Sequence, residues 1–157
     1  MNVVSDDLLD ELTAKAKESP RKRAHFLFHE FHDPVQRMVN AMEPGTYIPP
    51  HKHENPDKIE AFVILRGRAA CIKFDDAGKV TQVHIIDEDG PVYAVDIPPR
   101  TWHTFVSLKS GTALFEVVQG PYKPESHKNL APWAPPEEKG EQYLKDLEKE
   151  VRRKIAT

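Results

Sequence analysis

The chain has 157 residues, 30% of them charged, with a formal net charge of -3 and a single cysteine, Cys71. That length suits one domain, 1–157, with a core of its own, and the interspersed acids and bases exclude a broad basic footprint for nucleic acid. One cysteine excludes an intramolecular disulfide, and the opening MNVVSDDLLDEL has neither a basic leader nor an apolar run, so no membrane segment and a cytoplasmic location are expected. Residues 5–18 read as a helix: Ser5 is the N-cap, Asp6 and Asp7 occupy the first turn, and Leu8, Leu9, Leu12 and Ala16 share a face. Ser19-Pro20 ends it. From 24 to 119 the pattern changes to short alternating runs. Phe26 and Phe28 share a phase in the first, and Val35, Arg37, Val39 and Ala41 share one in the next. His29 and His32 fall in strand and turn, where a three-residue spacing does not face two ligands, so both are read as structural. AACIKF and KVTQVHIID are strands about a hairpin turn at 75–78, and His84 in the second is read as a cross-strand packing residue. Further strands follow at 92–97, 104–108 and 112–119. Residues 120–136 form a proline-rich arm anchored by Tyr122, Leu130 and Trp133, with His127 expected in solvent. A second helix spans 137–155, its apolar stripe made of Tyr143, Leu144, Leu147, Val151 and Ile155. Eight or more short strands with turns at regular intervals make the fold class all-β, a small antiparallel barrel or jelly roll with short N-terminal and C-terminal helices.

The chemistry concentrates between Gly45 and Gly67, GTYIPPHKHENPDKIEAFVILRG. His51 and His53 flank Lys52, and in a strand alternate side chains leave the same face. Glu60 follows after the turn-forming Asn55-Pro56-Asp57, and PPRTWH brings His103 after a Pro-Pro corner. Three imidazoles and a carboxylate suit one divalent first-row metal, with Fe, Mn, Ni and Zn all open. Because histidine binds a metal only when neutral, the ion should be lost below about pH 6. Gln36, Arg37 and Asn40 are singled out because one phase of their strand lines the barrel interior. An inward Arg37 would receive a carboxylate or phosphate, an outward one would be solvated, and the register decides between them. Arg100 and Trp102, beside His103, complete with Gln36 and Arg37 the candidates for substrate binding.

The spacing of Gly45, His51, His53, Glu60 and Gly67, followed by Gly90, Pro98 and His103, resembles the two motifs of the cupin superfamily. Two departures are visible: the gap from His53 to Glu60 is longer than usual, which leaves Glu54 as an alternative carboxylate, and Arg100 stands where the second motif usually has glycine. SPRKRAHFLFHEFHDPVQRM, PGTYIPPHKH and GPYKPESHKNLAPWAPPEE together resemble the WbuC-type family of cupin-fold metalloproteins across roughly residues 5–138. That resemblance implies a metal-binding barrel, a bacterial setting in which some members accompany surface-polysaccharide genes, and a homodimer paired through sheet edges.

Three classes of function are compatible with these residues. A metal-dependent isomerase, epimerase or lyase would act on a small sugar or sugar-nucleotide substrate, with Arg100 holding its anionic group. A non-haem Fe(II) dioxygenase would use open positions on the same ion. A metal-stabilised binding module would leave no position open.

Overall fold

The computed structural model describes residues 1–156. Helix α1 (Asp6–Glu18) starts where Ser5 Oγ accepts from the Leu8 N–H and ends where Ser19 turns to an extended backbone. Strands β1 (Arg23–Leu27), β2 (Val35–Met42), β3 (His51–Lys52), β4 (Glu60–Arg66), β5 (Arg68–Phe74), β6 (Val80–Asp87), β7 (Ala94–Ile97), β8 (His103–Ser107), β9 (Thr112–Gln119) and β10 (Asn129–Leu130) follow. A 3₁₀ turn (Glu137–Lys139) leads into α2 (Glu141–Ile155), a turn later than a continuous helix from 137. Among the described residues no helix is long and apolar enough to cross a membrane.

The strands form two antiparallel five-stranded sheets, ordered β1-β2-β9-β4-β7 and β10-β3-β8-β5-β6. Strand alternation gives each sheet two faces, and each face has its own cover. Between the sheets lie Met42, Phe62, Ile64, Cys71, Ile86, Phe105 and Leu114, the inner core. On the far side of the first sheet, Val39, Ala41 and Ala113 pack against Leu9, Leu12 and Ala16 of α1. On the far side of the second, Ile72, Phe74 and Val106 pack against Leu144, Leu147 and Val151 of α2. The result is four layers, helix on sheet on sheet on helix. Full burial of each large aliphatic side chain contributes roughly 1.5–3 kcal/mol.

Tight turns hold the strands in register. At the β5–β6 hairpin Gly78 takes φ +85, and Asp75 Oδ1 accepts from the N–H groups of Ala77 and Lys79. The arm after β9 is ordered over the barrel. Leu130 pairs with His51, the Ala131 N–H donates to the Pro50 carbonyl at 2.9 Å, and the buried Lys58 Nζ donates to the Pro121 carbonyl. Its far end is fastened by Glu137, which accepts from both Arg21 and Arg23.

Candidate metal centre

The two sheets bring four of the candidate ligands together. His51 on β3 pairs in register with His103 at the head of β8, His53 follows one residue after β3, and Glu60 opens β4 in the facing sheet. One potential ligand atom from each lies within 4.8 Å of all the others, and none of the four residues is more than 5% exposed. Alternation sends Lys52 to the other side, where its ammonium sits 4.6 Å from the Trp102 ring centroid and pairs with Glu54. The alternative carboxylate, Glu54, is therefore tied up outside the cluster.

The protonation pattern of the cluster follows from its backbone partners. His51 Nδ1 is 3.0 Å from the Pro49 carbonyl, His53 Nδ1 is 2.6 Å from the His127 carbonyl, and His103 Nδ1 is 2.8 Å from the Thr101 carbonyl. A carbonyl only accepts, so each Nδ1 carries a proton, and the neutral form of such a ring leaves Nε2 bare for a ligand bond. Glu60 Oε1 lies 3.0 Å from Nε2 of His53 and 2.7 Å from Nε2 of His103. Those are hydrogen-bond distances, yet with the rings in their neutral, ligating form none of the three atoms has a donor to share, and all three are buried without a partner. Lone pairs facing one another in a dry interior are costly, and a cation among them removes the cost. Fixing each ring through Nδ1 so that Nε2 points inward is how proteins orient histidine ligands.

The electrostatics agree. Burial would push the Glu60 carboxyl up, but the hydrogen bonds and positive charge that the His103 and His53 rings supply when protonated outweigh burial and hold it well below the usual carboxylate range, and a cation among the four groups would act in the same sense. Burial, with the charges of Lys128 and His103, holds His51 well below the ordinary imidazole range. An ionised carboxylate and a neutral imidazole are the forms that ligate a metal. The residues present thus fit one divalent ion in an N3O cage.

The remaining candidates are scattered. Arg37 lies on the outer phase of β2, between Gln36 and Met38, and its guanidinium donates to the Phe28 and Val35 carbonyls and to Asp33. The register that sends Val39 and Ala41 under α1 sends Arg37 the same way, so it does not line the interior. Gln36 is inward and 1% exposed, in one row with Val118 and Glu60, but its Nε2 donates to the Asp33 carbonyl at 2.9 Å. Trp102 faces away from His103 because neighbours in a strand alternate; it packs in the core under α2 and donates to Asp76. Arg100 stands at the corner with φ +63, in the left-handed region that glycine enters freely, and its exposed guanidinium pairs with Asp57. Its main chain is nearer the site, since the Arg100 N–H donates to the His53 carbonyl.

Two participants carried no motif. His127, expected in solvent, is half-buried with its ring 5.3 Å from His53, and its carbonyl orients that ligand. Glu116 is on the inner phase of β9, opposite Phe62 and Met38, and Oε2 accepts from Asn40 Nδ2 at 2.6 Å. Burial, with the negative charge of Glu60, pushes its carboxyl up to about 7. It can hold or release a proton near neutral pH within the same interior. An acid amid the apolar TALFEVVQ was the available signal.

Residues 4–86, just over half of the chain, match a family model described as "Domain of unknown function (DUF6016)". No curated protein matches the chain. Among solved structures, the capsular polysaccharide assembling protein CapF from Staphylococcus aureus is similar, with 20% identity over 68% of this chain and a TM-score of 0.57; this chain spans 28% of CapF. KdgF from Halomonas sp. shows 16% identity over 68% of this chain and 86% of its own, with a TM-score of 0.52. Oxalate decarboxylase from Bacillus subtilis shows 15% identity over 69% of this chain and 27% of its own, also with a TM-score of 0.52. At such identities the likeness is one of fold, and the fold is that of the cupins.

Proposed function

We propose, starting from a chain that belongs to the DUF6016 family, that His51, His53, Glu60 and His103 hold one divalent transition metal in a centre that acts on a small molecule. The observation that carries the reading is the gathering of three histidine rings, each held through Nδ1 by a backbone carbonyl, with the Glu60 carboxylate, so that one ligand atom of each lies within 4.8 Å of the others and Nε2 of His53, Nε2 of His103 and Oε1 of Glu60 are buried without a partner. A divalent ion in this cage supplies Lewis-acid polarisation of a substrate oxygen. The chain's own residues do the rest: Glu116, steadied by Asn40, holds or moves a proton at its carboxylate, and the arm pairs with the strand that carries His51.

The finer reading is an isomerase, epimerase or lyase of a sugar or sugar-nucleotide in bacterial surface-polysaccharide metabolism, working in the cytoplasm as a homodimer. The WbuC-type resemblance supports it, and so does the likeness of fold to a protein named for capsular polysaccharide assembly. The test is elemental analysis of untagged protein purified without added metal, beside His51→Ala and His103→Ala. Near-stoichiometric Fe, Mn, Ni or Zn in the wild type, lost from both variants, is expected. A wild type without metal, or variants that keep it, would refute the centre.

A further inference from the structure

The outer strands β6 and β7 are the free edges of their sheets, and the seam between them opens into a cleft of about 300 Å³, at the lower end of the range for small-molecule pockets. Its lining reaches Cys71 and His103, so the cleft abuts the cage. Lys73 on β5 is the cross-strand partner of both His103 on β8 and Gln82 on β6, while His84 is the partner of Cys71 one step along. Directly opposed residues hold their Cβ atoms about 5 Å apart, so the Lys73 side chain starts beside a cage residue. Alternation puts Lys73, Gln82 and His84 on the inward phase with Cys71 and Ile86, and all three are exposed to the opening. The Lys73 ammonium has no hydrogen bond or ion pair among the described residues. The acid in the wall, Asp96, pairs in register with Ala61 on the outward phase and makes no ion pair with Lys73 among the described residues. A cation without an ion pair, an amide and an imidazole thus share a small concavity next to the cage.

We propose that this cleft admits a small carboxylate-bearing molecule, a sugar acid or hydroxy acid, whose carboxylate sits on Lys73 Nζ between Gln82 and His84 while another of its oxygens faces the cage. The assignment rests on reading the cage as a metal centre, because a dication and Lys73 together favour an anion spanning both. It narrows the substrate to acids and sets neutral sugars aside.

The test is calorimetric titration of Ni²⁺-loaded protein with glucuronate and with glucose, which differ in the carboxylate, and with inorganic phosphate at matched ionic strength. Wild type, Lys73→Met and Lys73→Arg are compared, with the metal content of each measured. The wild type is expected to prefer glucuronate over glucose and phosphate by about tenfold or more, the weight of one charge-assisted hydrogen bond. Lys73→Met should abolish the preference and Lys73→Arg retain it, with metal content unchanged. Absent or equal binding of the two sugars, phosphate binding as tight as glucuronate, or a preference that survives Lys73→Met with the ion retained overturns the cleft assignment and leaves the metal centre standing. A wild type that does not hold the ion overturns both.

Discussion

Glu116→Gln replaces the second carboxyl of the barrel interior with an amide of the same shape whose oxygen still accepts from Asn40. In the folded chain burial is the largest influence on this carboxyl and the charge of Glu60 the next; together they outweigh Lys128, Asn40 and His53 and bring it to about 7 from 4.5. The folded state therefore favours the protonated acid. The stability this confers is complete below pH 4.5 and is lost as the pH rises through 7. At 1.36 kcal/mol per pH unit the gap amounts to about 3 kcal/mol, most of it between pH 5 and 8. Urea unfolding of chelator-treated wild type and Glu116→Gln, followed by tryptophan fluorescence across that range, reads the difference directly. Other titrating groups are common to both chains and cancel to first order. The wild type should lose about 3 kcal/mol relative to the variant from acid to base. Parallel curves would refute both the desolvation of the half-buried Glu116 and its interaction with Glu60.

Other substitutions probe the scaffold. A methyl on Gly140 would overlap the Tyr47 ring, although the backbone there, φ -82, suits any residue. Gly140→Ala should therefore cost about 1–3 kcal/mol by overpacking, seen as a lower urea midpoint, and an unchanged midpoint would show that the ring moves freely. Burial, with the charge of Glu60, pushes the Cys71 thiol up to about 12, so iodoacetamide at pH 8 should label it only after denaturation. Rapid labelling of the native chain would contradict that. Arg100→Gly removes a side chain from a left-handed backbone at the loss of one exposed ion pair, and its melting temperature should be no lower than that of the wild type.

What the sequence made legible and what it hid divide along physical lines. The four cage residues were legible because their chemistry is confined to a few side-chain types and their spacing follows strand alternation. The 75–78 turn and the N-cap at Ser5 were legible because both are local. Arg37 was ambiguous because a shift of one residue in register carries a side chain from one face to the other, and the decision lies with α1, which covers that face. Trp102 is displaced from the cage by the same parity, one residue from a ligand. His127 was hidden for another reason: it acts through its carbonyl, and a main-chain contact leaves no trace in residue type. Glu116 stood in plain view as an acid in an apolar strand, but a single acid does not say which face it is on.

The bond from His53 to the His127 carbonyl spans 74 positions of sequence and ties the arm to the cage. To lift the arm is to free a ring that an ion would grip, and to grip that ring is to hold the arm down, by the same free energy in either direction. An ion there would be a fastener as well as a reagent, so protease protection of the proline-rich segment should rise and fall with occupancy of a site it meets through its main chain.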